Sequence, residues 1–398
     1  MDTNRNRIGL DGLFLHQPIT GSGQYTLHLW HSLSNAGGDL DPVLLQPENA
    51  GSLSSSELSG IVIPPPRWAR NAKVRKLWWE QRGVAEAVRR AGIRLLHTPY
   101  FSSPRFFPVP RITTIHDVIP LIFPVYAESL VMRFYLRLTG SAARHAAAII
   151  TDSNCSRRDI AHWLRIPRER IHVIPLAADE RFHPAHDLET ERRLRSRFGL
   201  PGPVIFNVGG LDARKNLAVL VEAFARVLPK LNPDTRLVIA GSAHSANERL
   251  YPPLEPFIRA WGLRDQVILT GAISEAEKLG LYRMADLYVF PSLYEGFGLS
   301  PLEAMACGTP VIASNRSSLP EVVGDGGLLV DPTPARLAAA MILVLTDADL
   351  RQDLMRRALD QAAQFSWPKA GEMTCSVYHE VLSTARNAAT RPAPRPPR

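Results

Sequence analysis

Short, almost uninterrupted apolar runs alternate with longer stretches of helical periodicity along most of the chain. This alternation limits the possible folds more than any other feature. In the first half, strands are predicted at Val43–Leu45, Leu95–Thr98, Ile112–His116, Ala148–Thr151 and Val173–Pro175, with helices at Tyr25–Ser34, Lys73–Arg90, Ser129–His145 and Ser156–Leu164. In the second half the predicted strands are Val204–Val208, Leu237–Ala240, Val267–Thr270, Leu287–Phe290, Val311–Ala313 and Leu328–Val330, with helices that include Leu217–Leu228 and Glu275–Met284. Strands that are apolar on both faces and separated by helices belong to parallel sheets covered on both sides. The expected architecture is therefore α/β, with two facing Rossmann-like domains and a ligand cleft at the carboxyl ends of their strands.

The predicted boundaries follow from composition. Residues 1–180 form an acceptor-side domain and 181–366 a donor-side domain. A helix at 367–385, read as about Ala370–Leu382, has no strand to follow and is expected to cross back onto the first domain. Residues 177–203, rich in charge and carrying His183-Pro184 and Leu200-Pro201-Gly202-Pro203, read as a linker with one polar helix. Residues 386–398, with Arg391, Arg395, Arg398 and several prolines, read as a disordered basic tail.

With 45% hydrophobic and 21% charged residues, each half can bury a core. No stretch reaches the length of a transmembrane helix, and the polar start argues against a cleaved signal peptide. Cys155, Cys307 and Cys375 are widely spaced and form no CxxC pair, which speaks against disulfides and zinc and for a reduced, cytoplasmic enzyme. The formal charge of +8 is uneven, and most of the first-half excess lies between Ile61 and Arg94. There Arg67-Trp68-Ala69-Arg70 and Lys73-Val74-Arg75-Lys76-Leu77-Trp78-Trp79 mix cations with tryptophan. Two readings stand: an anionic surface binder, or a solvated helix with inward tryptophans. No nucleic-acid motif accompanies the charge.

The richest stretch is Pro291-Ser-Leu-Tyr-Glu295-Gly296-Phe297-Gly298-Leu299-Ser300-Pro301-Leu302-Glu303-Ala-Met-Ala-Cys-Gly-Thr-Pro310. A buried strand ends, a glycine loop follows, and a helix begins at Ser300 or Pro301. The glycines allow the backbone close to a ligand, and the helix N-terminus offers free N–H groups to a diphosphate. Glu295 is a carboxylate able to accept paired hydrogen bonds from vicinal hydroxyls. Glu303 could do the same, or could simply complete the capping box Ser300-Pro301-Leu302-Glu303.

The spacing Glu295-x7-Glu303 within this stretch resembles the signature of family 4 retaining glycosyltransferases, and the resemblance extends over nearly the whole chain. It implies the GT-B fold. Thr20-Gly21-Ser22-Gly23-Gln24-Tyr25-Thr26 resembles the family's N-terminal glycine loop, implying that Gly21 and Gly23 help enclose the donor diphosphate. Thr114-Ile-His116-Asp117-Val-Ile-Pro120 resembles the strand-end His-Asp, implying that His116 meets the transferred sugar, although a lone strand-end histidine is usually structural. Val208-Gly209-Gly210-Leu-Asp212-Ala-Arg214-Lys215-Asn-Leu217 resembles the segment whose basic pair neutralises the diphosphate. Gly210 stands where many members carry a further arginine. Leu319-Pro-Glu321-Val-Val-Gly324 also resembles a family segment, with Glu321 read as structural.

The resemblance further implies sugar transfer from a nucleotide diphosphate to a hydroxyl with retention of configuration. Glu295 would position the donor sugar, Glu303 the ribose, and Arg214 and Lys215 the leaving charge. Donor contacts are also implied for Gly209, Gly296, Phe297, Gly298 and Leu299. The triplets Asp39-Leu-Asp41 and Asp347-Ala-Asp349 do not follow a strand of the donor domain, so both read as structural and no metal or other cofactor is expected. The closest likeness is to bacterial mannosyltransferases using GDP-mannose; UDP- and dTDP-sugar enzymes share most of these residues. The basic Trp-bearing stretch suits a lipid-linked saccharide acceptor at the inner face of an anionic membrane. Rival readings are a GT-B epimerase, which would need no acceptor, and a nucleotide-sugar-binding subunit without turnover. A pyridoxal-phosphate phosphorylase lacks an evident lysine.

Overall fold

A computed structural model describes residues 6–16, 20–35, 38–48, 60–101, 107–185, 187–243 and 245–390. Two compact units emerge: one built from the chain through Leu176 together with Trp367 onward, the other from Ala177–Ser366.

The first unit carries β1 (Asn6–Asp11), β2 (Leu40–Pro47), β3 (Gly60–Ile63), β4 (Leu95–Thr98), β5 (Arg111–Thr114), β6 (Ala148–Thr151) and β7 (Ile171–Val173). They form one parallel sheet in the order β3-β2-β1-β4-β5-β6-β7. Its helices are α1 (Gly21–Asn35), α2 (Ala72–Trp78), α3 (Val84–Arg90), α4 (Ile119–Ile122), α5 (Leu130–Arg144) and α6 (Asn154–Leu164), with a π turn at Trp79–Gly83 joining α2 to α3. Strands such as β6 are buried at every residue because helices cover both faces of the sheet. Two strands were not among those predicted. β1 is masked in the sequence by Asn6 and Asp11, which are buried but satisfied by tertiary partners. β3 is a short edge strand.

Asp11 accepts from Trp79 Nε1 at 2.9 Å, Tyr100 Oη at 2.9 Å and the Leu13 amide at 3.0 Å. Burial pushes its carboxyl up to about 7 against the pull of those bonds. The tryptophan-bearing stretch therefore divides: Trp79 is an inward hydrogen-bond donor, whereas Trp68 is 65% exposed.

The second unit carries β8 (Val204–Val208), β9 (Arg236–Ala240), β10 (Val267–Gly271), β11 (Leu287–Phe290), β12 (Val311–Ser314) and β13 (Leu328–Val330), parallel in the order β10-β9-β8-β11-β12-β13. Its helices are α7 (Leu188–Phe198), α8 (Leu217–Val227), α9 (Glu255–Ala260), α10 (Glu275–Met284), α11 (Leu299–Ala306), α12 (Leu319–Val323), α13 (Pro334–Thr346) and α14 (Ala348–Ala362). Local signals account for several helix ends. Ser274 and Glu277 form a capping box on α10, Thr333 with Pro334 opens α13, and Gly199 at φ 64° closes α7. Residues 177–203 are not a free linker. Phe182 packs edge-on to Tyr282, and Leu194 of α7 fits against Gly280 of α10, where a β-carbon would come within 2.6 Å of it.

A final helix, α15 (Trp367–Thr390), packs on α1 in the first unit. Trp367 stacks on His28, and Tyr378 is buried with its hydroxyl 2.7 Å from His97 Nδ1. The helix overruns the expected start of the disordered tail. Arg386-Asn-Ala-Ala-Thr390 is helical, with Arg386 and two alanines favouring a helix and Arg386 tied to Asn6 Oδ1 at 2.8 Å. Arg391, Arg395 and Arg398 lie outside the described residues. Among those described, no helix is long and apolar enough to cross a membrane.

Both Asp-x-Asp triplets have structural partners. Asp39 accepts from Asn6 and bonds His379, Asp41 pairs with Arg7, and Asp347 caps α14.

Candidate active site

In the second unit, β8 and β11 are adjacent at the point where strand order reverses, the place in such sheets where ligands bind beyond the carboxyl ends. The loops leaving these two strands are stitched together: the Leu293 amide donates to the Arg214 carbonyl at 2.7 Å, and Arg214 Nη1 to the Tyr294 carbonyl at 2.9 Å. Glu295 sits at the junction. Lys215 Nζ lies 2.7 Å from its Oε1 and Arg214 Nη1 lies 2.8 Å from its Oε2. Ser292 Oγ donates to Oε1 at 2.6 Å. Burial alone would raise the carboxyl, but Lys215 and then Arg214 outweigh it and hold the group below the usual glutamate value. Glu295 is thus ionised at neutral pH and can only accept hydrogen bonds. Arg214 Nε also lies 3.0 Å from Asp212, so two cations and two carboxylates balance at this site.

The backbone beneath is held by contacts that sequence reasoning missed. Ser317 Oγ accepts from the Glu295 amide at 2.8 Å, and Ser318 Oγ lies 2.9 Å from the Glu295 carbonyl and 2.6 Å from that of Phe297. Asn216, at φ 58°, donates to the carbonyls of Pro291 and Pro332. Helix α11 then starts at Leu299, with Gly298 at φ 120° as its N-cap and no side-chain cap.

The first unit contributes a separate group. His116, after β5, meets Asp152, after the neighbouring β6, with Nδ1 2.7 Å from Oδ2. Burial pulls the imidazole pKa down, yet Asp152 outweighs it and the net shift is upward, with Asp117 and the Pro99 carbonyl adding less. The Tyr25 ring stands edge-on to His116 at 4.8 Å, and Ser156 Oγ donates to the His116 carbonyl at 2.8 Å. A 440 Å³ cavity also opens in this unit, lined in part by Phe14, His16, Arg75, Lys76 and Trp78.

Residues 19–182 match the family described as Glycosyltransferase Family 4, and residues 190–361 match Glycosyl transferases group 1. O-antigen chain mannosyltransferase B of Escherichia coli is 30% identical over 373 residues, covering 91% of this chain and 96% of that protein. The chain belongs to glycosyltransferase family 4. The serotype-specific mannosyltransferase WbdA of Escherichia coli is 30% identical over 277 residues, 68% of this chain but only 33% of WbdA. Among solved structures, a sucrose-phosphate synthase from Thermosynechococcus elongatus superposes with a TM-score of 0.73 at 23% identity, covering 96% of this chain and all of that one. The architecture of this family 4 enzyme is that of the GT-B glycosyltransferases.

Two readings of local structure in this family 4 glycosyltransferase need correction. Glu303 closes no capping box; it is buried and bonded to Tyr282 Oη at 3.0 Å and Lys278 Nζ at 3.2 Å. Burial raises its pKa despite those two partners. Gly21 and Gly23 do not form a loop but the first turn of α1, where Thr20 Oγ1 accepts from the Gly23 amide. The Phe297 ring packs edge-on to Phe365. Of the loop glycines, Gly298 takes a left-handed φ and Gly296 is simply buried.

Asp152 was also missed, although its signal is visible as an acid at a predicted strand end, one strand from His116. Asp152→Asn is expected to lower the His116 pKa below the ordinary value of about 6.5, because burial remains after the carboxylate is gone. Titration of the imidazole by NMR checks this, and an unchanged value rejects the pairing as the cause. The folded pKa of His116 is raised, so its pH-dependent stabilisation is complete below about 6.5 and lost as pH rises through the folded value. The stability gap between wild type and variant should narrow across that window.

Proposed function

We propose that this enzyme transfers mannose, with retention, from GDP-mannose to a hydroxyl of a lipid-linked saccharide in the assembly of a surface polysaccharide. The observation that carries the donor side is the convergence of Arg214 and Lys215 on one buried, ionised carboxylate at the reversal point of the sheet. The choice of mannose rests on the two mannosyltransferase relatives.

On this reading the diphosphate lies against Arg214, Lys215, Gly209 and the α11 amides, and Glu295 accepts hydrogen bonds from the donor sugar. As the bond from the anomeric carbon to the leaving phosphate oxygen breaks, these donors stabilise the charge that builds there. The acceptor oxygen bonds to the anomeric carbon from the same face, and its proton passes to the departing diphosphate. Glu303 is assigned to the ribose and His116 to the transferred sugar, both on the family resemblance. This reading assigns the leaving charge to Arg214, Lys215 and the α11 amides and invokes no metal. The acceptor saccharide is assigned to the Phe14–Lys76–Trp78 cavity, whose aromatic rings suit a sugar face and whose cations suit a phosphate. The enzyme would then work at the cytoplasmic face of a membrane.

A thermal-shift panel of GDP, UDP, dTDP and ADP with their sugar conjugates tests the donor. At about 100 times its dissociation constant, a ligand stabilises by about 2.7 kcal/mol. GDP and GDP-mannose should stabilise selectively, and mannose transfer should persist in EDTA. Selective stabilisation by UDP or dTDP would replace the donor. A new sugar nucleotide without acceptor would identify an epimerase, and donor binding without any transfer would leave a binding subunit.

A further inference from the structure

Helix α5 has an outer face that nothing in the described structure covers. Leu130, Val131, Phe134 and Leu138 are 80%, 76%, 62% and 45% exposed. At about 100° per residue, Leu130, Phe134 and Leu138 run along one stripe with Val131 beside it, and Arg133 and Arg137 border the stripe on its other side. Both arginines are exposed. The opposite face, with Leu136, Thr139, Gly140, Ala142 and Ala143, is buried. Stability of the fold therefore gives no reason for the apolar outer stripe, and soluble surfaces rarely carry contiguous large apolar groups.

Helix α2 lies within side-chain reach of α5: Lys76 Nζ is 5.0 Å from the Tyr135 ring centroid. Helix α2 exposes Val74, Arg75 and Leu77, and the segment before it exposes Arg67, Trp68 and Arg70. The charge within α5 is basic: the helix contains no acid, and Glu128, just before it, is an exposed carboxylate at its start.

We propose that α5 and α2 together form a docking face for an anionic lipid bilayer. The α5 stripe enters the acyl boundary while Arg133, Arg137, Arg75 and Arg70 remain at the level of the headgroups. An apolar stripe bordered by arginine, whose stems reach along apolar surface and whose heads stay in water, is what an interfacial helix requires. Cations of one sign select negatively charged headgroups. The inference deepens the proposed lipid-linked acceptor and rests on that reading for its biological sense, but its physical content is separate.

Flotation of the full chain with vesicles of phosphatidylcholine, with and without phosphatidylglycerol, provides the test. Wild type should float with the anionic vesicles, and added salt should weaken this. The double variant Leu130→Ser/Phe134→Ser should lose binding by about tenfold or more, as should Arg133→Glu/Arg137→Glu. All four positions are exposed, so melting temperatures should hold, and transfer to a short water-soluble acceptor should be unchanged. Equal recovery of wild type and both variants with vesicles would overturn the proposal. So would a concentration-dependent dimer abolished by Phe134→Ser with no vesicle binding, because the stripe would then cover a second copy. Transfer without flotation rejects this inference alone, and flotation without transfer rejects the proposed activity alone.

Discussion

Glu295→Ala is expected to reduce sugar transfer by about 100- to 1,000-fold, the usual cost of losing a preorganised polar contact at the reacting centre. Two effects contribute. The sugar loses an ionised acceptor, and Arg214 and Lys215 lose the carboxylate lying 2.8 and 2.7 Å away. The second effect lowers stability, because removing one partner of a buried ion pair strands the other, at a cost of about 3–5 kcal/mol in fully buried cases. GDP should still stabilise the variant, since its diphosphate supplies negative charge to the same two cations. Turnover at the wild-type rate would falsify the assignment. A variant that neither folds nor binds GDP is distinguished by Glu295→Gln, which keeps the shape and can still bond Ser292. The wild-type carboxyl is held below its ordinary value, so its stabilisation is present above about pH 4.5 and is lost as pH falls through the folded value. The stability gap between wild type and Glu295→Gln should therefore survive to about that pH and close below it.

Gly241→Ala is expected to be at least as damaging, by a route that involves no charge. Gly241 follows β9 at φ 143°, and a β-carbon there would stand 1.8 Å from the Gly209 carbonyl oxygen and 3.0 Å from its carbon. Neither atom is the end of a flexible side chain, so backbone must move. The displaced segment leads directly to Arg214 and Lys215. A loss of about 3 kcal/mol or more is expected, together with weaker GDP binding. Gly262→Ala is the control. Its φ of 68° is also left-handed, but nothing lies within 4 Å, so only the conformational cost of about 1–2 kcal/mol applies. Denaturant melts of both variants check the difference; equal losses would show that conformation alone, and not the contact with Gly209, sets the cost.

The central strands and the Glu295 loop are legible in the sequence because each is specified by neighbours in the chain. Leu287–Phe290 reads as a buried strand, and the glycines after it read as a turn before a helix. Arg214 and Lys215 are legible through their position before α8. What is not legible depends on segments that meet only in three dimensions. Ser317 and Ser318 hold the Glu295 loop from a turn after β12, and Asp152 reaches His116 from the next strand. Glu303 reads as a helix cap from its local pattern, and only the approach of Lys278 and Tyr282 from α10 gives it other partners. Strand β1 is hidden because its polar ends are compensated by distant residues such as Trp79 and Tyr100.

The return of α15 to the first unit has a consequence for synthesis on the ribosome. The Ala177–Ser366 unit is one continuous stretch and can close as soon as it has emerged. The first unit must wait for α15, which follows the whole of the second. Until Tyr378 arrives, His97 lacks its hydroxyl partner, and until Gly371 arrives nothing seats against Ser32, where a β-carbon would come within 2.7 Å. Order of translation and order of completion are therefore inverted. A stop codon after Ser366 would release a nascent first unit with an open flank along α1, a substrate for chaperones and proteases.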